Sequence, residues 1–192
     1  MRNLSLAVLA ASMLAAGSAA ADPVHYTIDP NHTFPSFSLP HIQGISTWRG
    51  KITNTTGSVV LDRQARTGSV DITMQANSFD FGLAKLDEHV ESDQIMDARK
   101  FPTLSYKADS IKFDGDTPSQ IDGQLTMHGV TRPVTLKIDE FKCIMHPMLK
   151  REVCGVEASA SFDRSAYGMD FGKAYGFSME TKLHIQAEGV KQ

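Results

Sequence analysis

Two cysteines, seven histidines and nine methionines are the side chains here that could act as nucleophiles, proton carriers or soft metal ligands. Cys143 and Cys154 flank the stretch from Ile144 to Val153, and two uses compete for them. His146-Pro147 and Lys150-Arg151 predict a loop between two strands, which sets the cysteines opposite each other and suits a disulfide in an oxidising compartment. The other use is a copper-type site, with Met145, His146 and Met148 joining the two sulfurs as soft ligands, although their spacing matches no known ligand pattern. None of the histidines (His25, His32, His41, His89, His128, His146, His184) has the paired helical spacing of a zinc hydrolase, and there is no G-x-S-x-G nucleophile motif. His32 and His41 bracket one apolar segment and are candidates for a ligand or catalytic pair. The plainer reading is polar residues at a strand end or a pocket mouth. His89, beside Asp87 and Glu88, suits either a ligand head group or a solvated helix face. Arg164, near Asp163, Asp170 and Tyr167-Gly168-Met169, reads as a loop tie, since a guanidinium fork is well shaped for that.

The elements that must position these residues are mostly strands. Val70, Ile72, Met74 and Ala76 alternate with Ser69, Asp71, Thr73 and Gln75, the mark of a strand with one wet and one dry face. Trp48-Gly50-Ile52, Ala158-Ala160-Phe162 and Leu183-Ile185 repeat that pattern. The last of these is expected to belong to a strand from Phe177 to Ala187. Gly123 to Leu136 predicts a hairpin turning near Gly129, with Pro133 at the start of its second strand, where no ladder N–H is needed. Pro35 and Pro40 predict that the segment from Thr33 to Ile42 is an edge or bent strand. Only Leu83 to Lys100 departs from period two. Leu86, Val90, Ile95 and Met96 predict one or two helical turns ending at Phe101-Pro102. Roughly eight antiparallel strands with a short helical insertion must hide their edges, so a closed barrel or a two-sheet sandwich is expected. An eight-stranded barrel is filled by side chains or holds one small ligand.

The start of the chain reads as a secretory signal peptide over residues 1–21: Arg2, an apolar run from Leu4 to Leu14, then Ala19-Ala20-Ala21 as a cleavage site. A single domain over residues 22–192 and export to the periplasm are then expected. Without Arg2 the chain carries 18 basic and 22 acidic residues, which argues against nucleic acid as a partner. No other segment is long and apolar enough for a membrane span. Methionines (Met74, Met96, Met127, Met179) and aromatics (Phe34, Phe37, Trp48, Phe79, Phe81, Phe101) exceed what charge and turn residues balance. They suit either an ordinary core or the adaptable wall of an apolar pocket.

In order and spacing, the chain resembles the YceI family. The resemblance rests on Tyr26-x-Ile28-Asp29 with His32 and Phe34, His41-x-x-Gly44, Trp48-x-Gly50, Ser78, Asp87-x-His89 and Phe101-Pro102. It rests most specifically on Gly123-x-Leu125-Thr126-x-His128-Gly129-Val130-Thr131, then on Phe162-x-Arg164-x-x-Tyr167-Gly168-Met169. It implies a lipocalin-like barrel holding a long isoprenoid lipid, polyprenyl or quinone-like, with no catalysis and no other cofactor. A redox helper or enzyme acting on a quinone-like ligand is the alternative. The pocket is expected to use Phe34, Phe37, Trp48, Ile72, Met74, Phe79, Phe81, Leu86, Met96, Phe101, Met127 and Phe162. His41, Ser78 and His89 are the expected head-group contacts, and a homodimer is left open. The Cys143–Cys154 loop departs from many members of that family and is read as a local staple.

Overall fold

The computed structural model describes residues 22–192, so the expected signal peptide lies outside the described residues. The strands are β1 (Val24–Ile28), β2 (Phe34–Pro40), β3 (Thr47–Ile52), β4 (Thr55–Asp62), β5 (Thr67–Gln75) and β6 (Phe79–Asp80). After helix α1 (Ala84–Glu91) come β7 (Thr103–Ala108), β8 (Ile111–Asp114), β9 (Thr117–Met127), β10 (Val130–Met145), β11 (Glu152–Asp163) and β12 (Glu180–Lys191). Eight of them close a ring in the order β1-β4-β5-β7-β9-β10-β11-β12, with β12 returning to β1 at Thr27–Val190 and Ile28–Gly189. All pairs are antiparallel, and closure leaves the ring without a free edge.

β12 is long enough to serve two neighbours. Its final residues pair with β1, while Lys182 to Gln186 pair with β2, which is followed outward by β3 and the short β6. The barrel is therefore shut at one end and flares at the other, where α1 and the loop from Arg164 to Met179 sit. β2 is bent away from β1 at Asp29–Thr33 but is not an edge, because β12 and β3 flank it on both sides. Its prolines are tolerated because each lies outside one ladder. The β3 ladder begins after Pro35, and the β12 ladder ends before Pro40.

The hairpin at Gly123–Leu136 is tighter than expected. Met127 pairs with Val130, and His128 and Gly129 form the two-residue turn with φ of 51° and 74°, the double left-handed conformation that matches strand twist. Pro133 is thus the fourth residue of β10, paired with Gln124, not its first. It is accommodated because β10 meets its other neighbour, β11, only from Lys137 onward. The last strand also starts later than expected. Gly172 and Gly176, at φ 84° and 80°, hold Phe177 in a loop, and β12 begins at Glu180.

Cys143 and Cys154 are direct cross-strand partners in β10 and β11, and they form a disulfide with Cα atoms 4.0 Å apart. The two sulfurs bind each other, so the copper-type arrangement has no thiolates to use. Closing a loop of 11 residues' separation contributes about 2–3 kcal/mol through the unfolded chain. Replacing both cysteines by serine is therefore expected to lower the melting temperature by about 5–10 °C. A scan showing no change would remove the staple role.

Two core tyrosines make stability sensitive to alkali. Burial, followed by the hydrogen bond its hydroxyl donates to Glu152 Oε1 at 2.7 Å, pushes the Tyr26 phenol far above its ordinary value. Burial does the same to Tyr106, helped by the nearby Asp122 charge. Folded pKa values raised above the unfolded value mean full stability below a pH of about 10 and a progressive loss above it. Thermal melts from pH about 8 to 11 are expected to show that loss, with a smaller slope in Tyr106→Phe.

Candidate functional site

The inward faces of the strands enclose a cavity of about 520 Å³. β2 contributes Pro35, Phe37, Leu39 and, just past its end, His41. β3 contributes Trp48 and Ile52, and β5 contributes Val70, Ile72 and Met74. Leu104 and Tyr106 come from β7, Ile121, Leu125 and Met127 from β9, and Val134, Leu136, Ile138 and Phe141 from β10. Cys154, Val156, Ala158 and Phe162 of β11 face Leu183, Ile185 and Ala187 of β12. Leu86, His89, Val90, Ile95 and Met96 cover the flared end. A wall of this composition excludes water and favours a long apolar ligand, within the usual size range of ligand pockets.

Period two explains which expected strand residues arrive here, and α1 with the turns after it brings Leu86, His89 and Met96. Phe37, Trp48, Ile72, Met74, Phe79, Phe81, Leu86, Met96, Met127 and Phe162 all line the cavity, as do His41 and His89. Phe34 does not. It lies one step out of phase with Pro35 and Phe37, on the outer face, with Lys51 Nζ 5.0 Å from its ring centre. Phe101 packs outside the barrel against the His128 ring, 4.7 Å centre to centre, in the space left by Gly129. Ser78 is a structural tie, donating to the Gln75 carbonyl at 2.8 Å and accepting from the Asn54 amide at 3.2 Å.

The cavity lining is well buried at the closed end (Tyr26, Leu61 and Ile111 are at most 6% exposed). At the flared end, His41, Trp48, Phe81 and His89 are half-buried and Phe171 is exposed. The mouth therefore lies at the flared end. The His41 ring packs edge-on to Trp48 and Phe177 at 5.7 and 5.0 Å, and His89 packs against Phe171 at 4.9 Å. His32 stands at the far end of β2, hydrogen-bonded to Asp29 at 2.8 Å, so it does not meet His41.

Polar groups in the wall are few. Thr33 is satisfied by the Glu188 backbone, donating to its carbonyl at 3.3 Å and accepting from its amide at 3.1 Å. Thr55 is fully buried with its hydroxyl unpaired. Arg164 is buried beside the mouth without a carboxylate partner. It donates to the Met169 carbonyl at 2.7 Å and the Phe171 carbonyl at 2.8 Å, which ties the loop that carries Phe171 and Phe177. Asp163 instead accepts from the Ser165 amide at 2.7 Å, which starts the turn after β11.

Leu39, Phe141, Val156, Phe171 and Phe177 are wall or mouth residues that sequence reasoning left out. Leu39 was within reach of the alternation that began at Phe37. Phe141 was not, because a register shift between Ile138 and Glu140 flips β10, so inward positions change from even to odd numbers.

The sequence profile of the YceI-like domain matches residues 26–189. A UPF0312 protein of Pseudomonas paraeruginosa is 30% identical over 194 residues, covering 100% of this chain and 98% of its own length. Among solved structures, Burkholderia cenocepacia BcnA superposes with a TM-score of 0.67 at 18% identity, covering 84% of this chain and 98% of its own. A polyisoprenoid binding domain of Saccharophagus degradans, implicated in plant cell wall breakdown, superposes with a TM-score of 0.63 at 11% identity, covering 87% and 98%.

Proposed function

The chain belongs to the YceI-like family, and from that membership and its apolar chamber we propose that it binds and carries a long-chain isoprenoid lipid, polyprenyl or quinone-like, in the bacterial periplasm. The observation that carries this reading is a closed barrel whose inner faces stay apolar from Leu61 at the shut end to Phe177 at the mouth. Each buried CH₂ contributes about 0.8 kcal/mol, so a long tail supplies strong binding before any head-group contact. The polyisoprenoid-binding Saccharophagus domain of the same fold supports the choice of tail. His41 and His89 line the cavity half-buried at the mouth, which supports them as the contacts for a polar head group. Among the described residues no helix is long and apolar enough to cross a membrane.

Organic extraction of protein purified from its native host, followed by mass spectrometry, is expected to release an isoprenoid lipid in roughly stoichiometric amount. Repeated preparations without an apolar ligand, together with no uptake of added polyprenyl lipid, would overturn the reading. One observation favours a redox role: Cys154 lines the chamber at its closed end, so the disulfide borders the cavity. The double serine variant separates the two. Normal lipid uptake with a lower melting temperature assigns the disulfide to stability, and lost quinone turnover with intact folding assigns it to chemistry.

A further inference from the structure

The β10–β11 hairpin extends past the disulfide at the closed end of the barrel, opposite the mouth. Its tip exposes four large apolar side chains: Ile144 at 46%, Met145 at 69%, Met148 at 81% and Leu149 at 50%. Four large apolar side chains left in solvent on one projecting turn are available to contact a partner. The turn is held in shape. The His146 amide donates to the Arg151 carbonyl at 2.8 Å, and the Lys150 amide to the His146 carbonyl at 3.0 Å. His146 Nδ1 accepts from the Met148 and Leu149 amides at 3.3 and 3.2 Å. That lone pair is occupied by the backbone, so it does not face a metal between Met145 and Met148.

The charge around the tip selects its partner. Lys142, Lys150 and Arg151 are exposed, and no acidic residue occurs from Phe141 to Arg151, in a chain with a formal net charge of −3. Among the described residues none of these three cations makes an ion pair. The flanking acids are Glu152, which accepts the Tyr26 hydroxyl, and Glu140, which lies on the barrel side of the disulfide, away from the tip. Apolar side chains at the apex with unpaired cations at the flanks match the layering of a bilayer interface, acyl chains beneath anionic head groups. Because the disulfide and turn hydrogen bonds fix the tip in advance, little ordering opposes docking.

We propose that this hairpin tip docks the protein on a lipid bilayer bearing anionic head groups. The proposal stands apart from the barrel's cargo, since the tip lies at the opposite end from the mouth. The mature full chain is tested by flotation with phosphatidylglycerol–phosphatidylcholine vesicles and with phosphatidylcholine vesicles alone. Binding to the anionic vesicles, weakened at least tenfold without phosphatidylglycerol or in high salt, is expected. Met148→Ser/Leu149→Ser and Lys150→Glu/Arg151→Glu are each expected to lower vesicle binding by about tenfold or more while polyprenyl uptake is unchanged. No binding to anionic vesicles overturns the proposal, as does binding that these variants leave intact but that is abolished by Ile45→Asp, at an 82% exposed residue in the turn that follows His41 and is tied to Gly176 beside the mouth. A dimer in light scattering that the tip variants dissolve, with no vesicle binding, assigns the tip to self-association and also overturns it.

Discussion

Ala158→Trp is expected to reduce polyprenyl uptake by two to three orders of magnitude while the barrel stays folded. Ala158 is 5% exposed and lines the cavity from the middle of β11, between Ile138 of β10 and Ile185 of β12. An indole at this position projects into the chamber, so the large side chain meets open space in place of packed atoms. It takes the room of about one five-carbon isoprenoid unit. At about 0.8 kcal/mol per CH₂ the lost contact is worth roughly 4 kcal/mol, and about 1.4 kcal/mol is tenfold in affinity. Uptake is measured by titration with a fluorescent polyprenyl probe, and folding by thermal melts. Unchanged uptake would mean that the ligand does not occupy the chamber. A collapsed fold would mean that Ala158 faces packed core.

Gly123→Ala is expected to cost about 3–5 kcal/mol of stability, close to the limit for a single methyl group. A Cβ on Gly123 would overlap the ring and hydroxyl of Tyr106 on the neighbouring β7. Tyr106 is 6% exposed. Its hydroxyl lies 2.9 Å from the Val134 carbonyl and 3.1 Å from the Ile121 carbonyl, where it donates between β9 and β10. The ring cannot step aside without losing those partners inside the barrel, and an unsatisfied buried hydroxyl adds about 1–3 kcal/mol. Chemical denaturation measures the effect. The double variant Gly123→Ala/Tyr106→Leu is expected to recover part of the loss, because it removes both the clash and the hydroxyl. A loss below about 1 kcal/mol in the single variant would show that the ring has room to move.

Those two positions show unequal legibility. Gly123 begins the most specific stretch of the chain, yet nothing in the order of residues says that a tyrosine ring from β7 covers it. Phe34 and Phe37 looked equally suited to the cavity, and only their phase separates them. Phe37 shares its face with Pro35 and Leu39, whereas Phe34 lies outside. The size and apolarity of Phe101 suit the wall equally well, but the left-handed turn at His128–Gly129 offers it a seat outside the barrel.

The sequence by itself determined the strands with clean alternation, the helical interruption and the inward phase of most strand aromatics and methionines, and it set the two cysteines opposite each other without deciding between a disulfide and a metal site. Each of these is a local property: a two-residue period, a helical spacing or a short loop between partners. Only the tertiary structure decided that β12 is shared by β1 and β2, so the barrel shuts at one end and opens at the other. It alone also decided that β10 changes face at its register shift, and that His32 and His41 part company. These depend on which distant strands pair and in what register, and one extra residue in a strand exchanges its wet and dry faces without altering the composition from which the pattern is read.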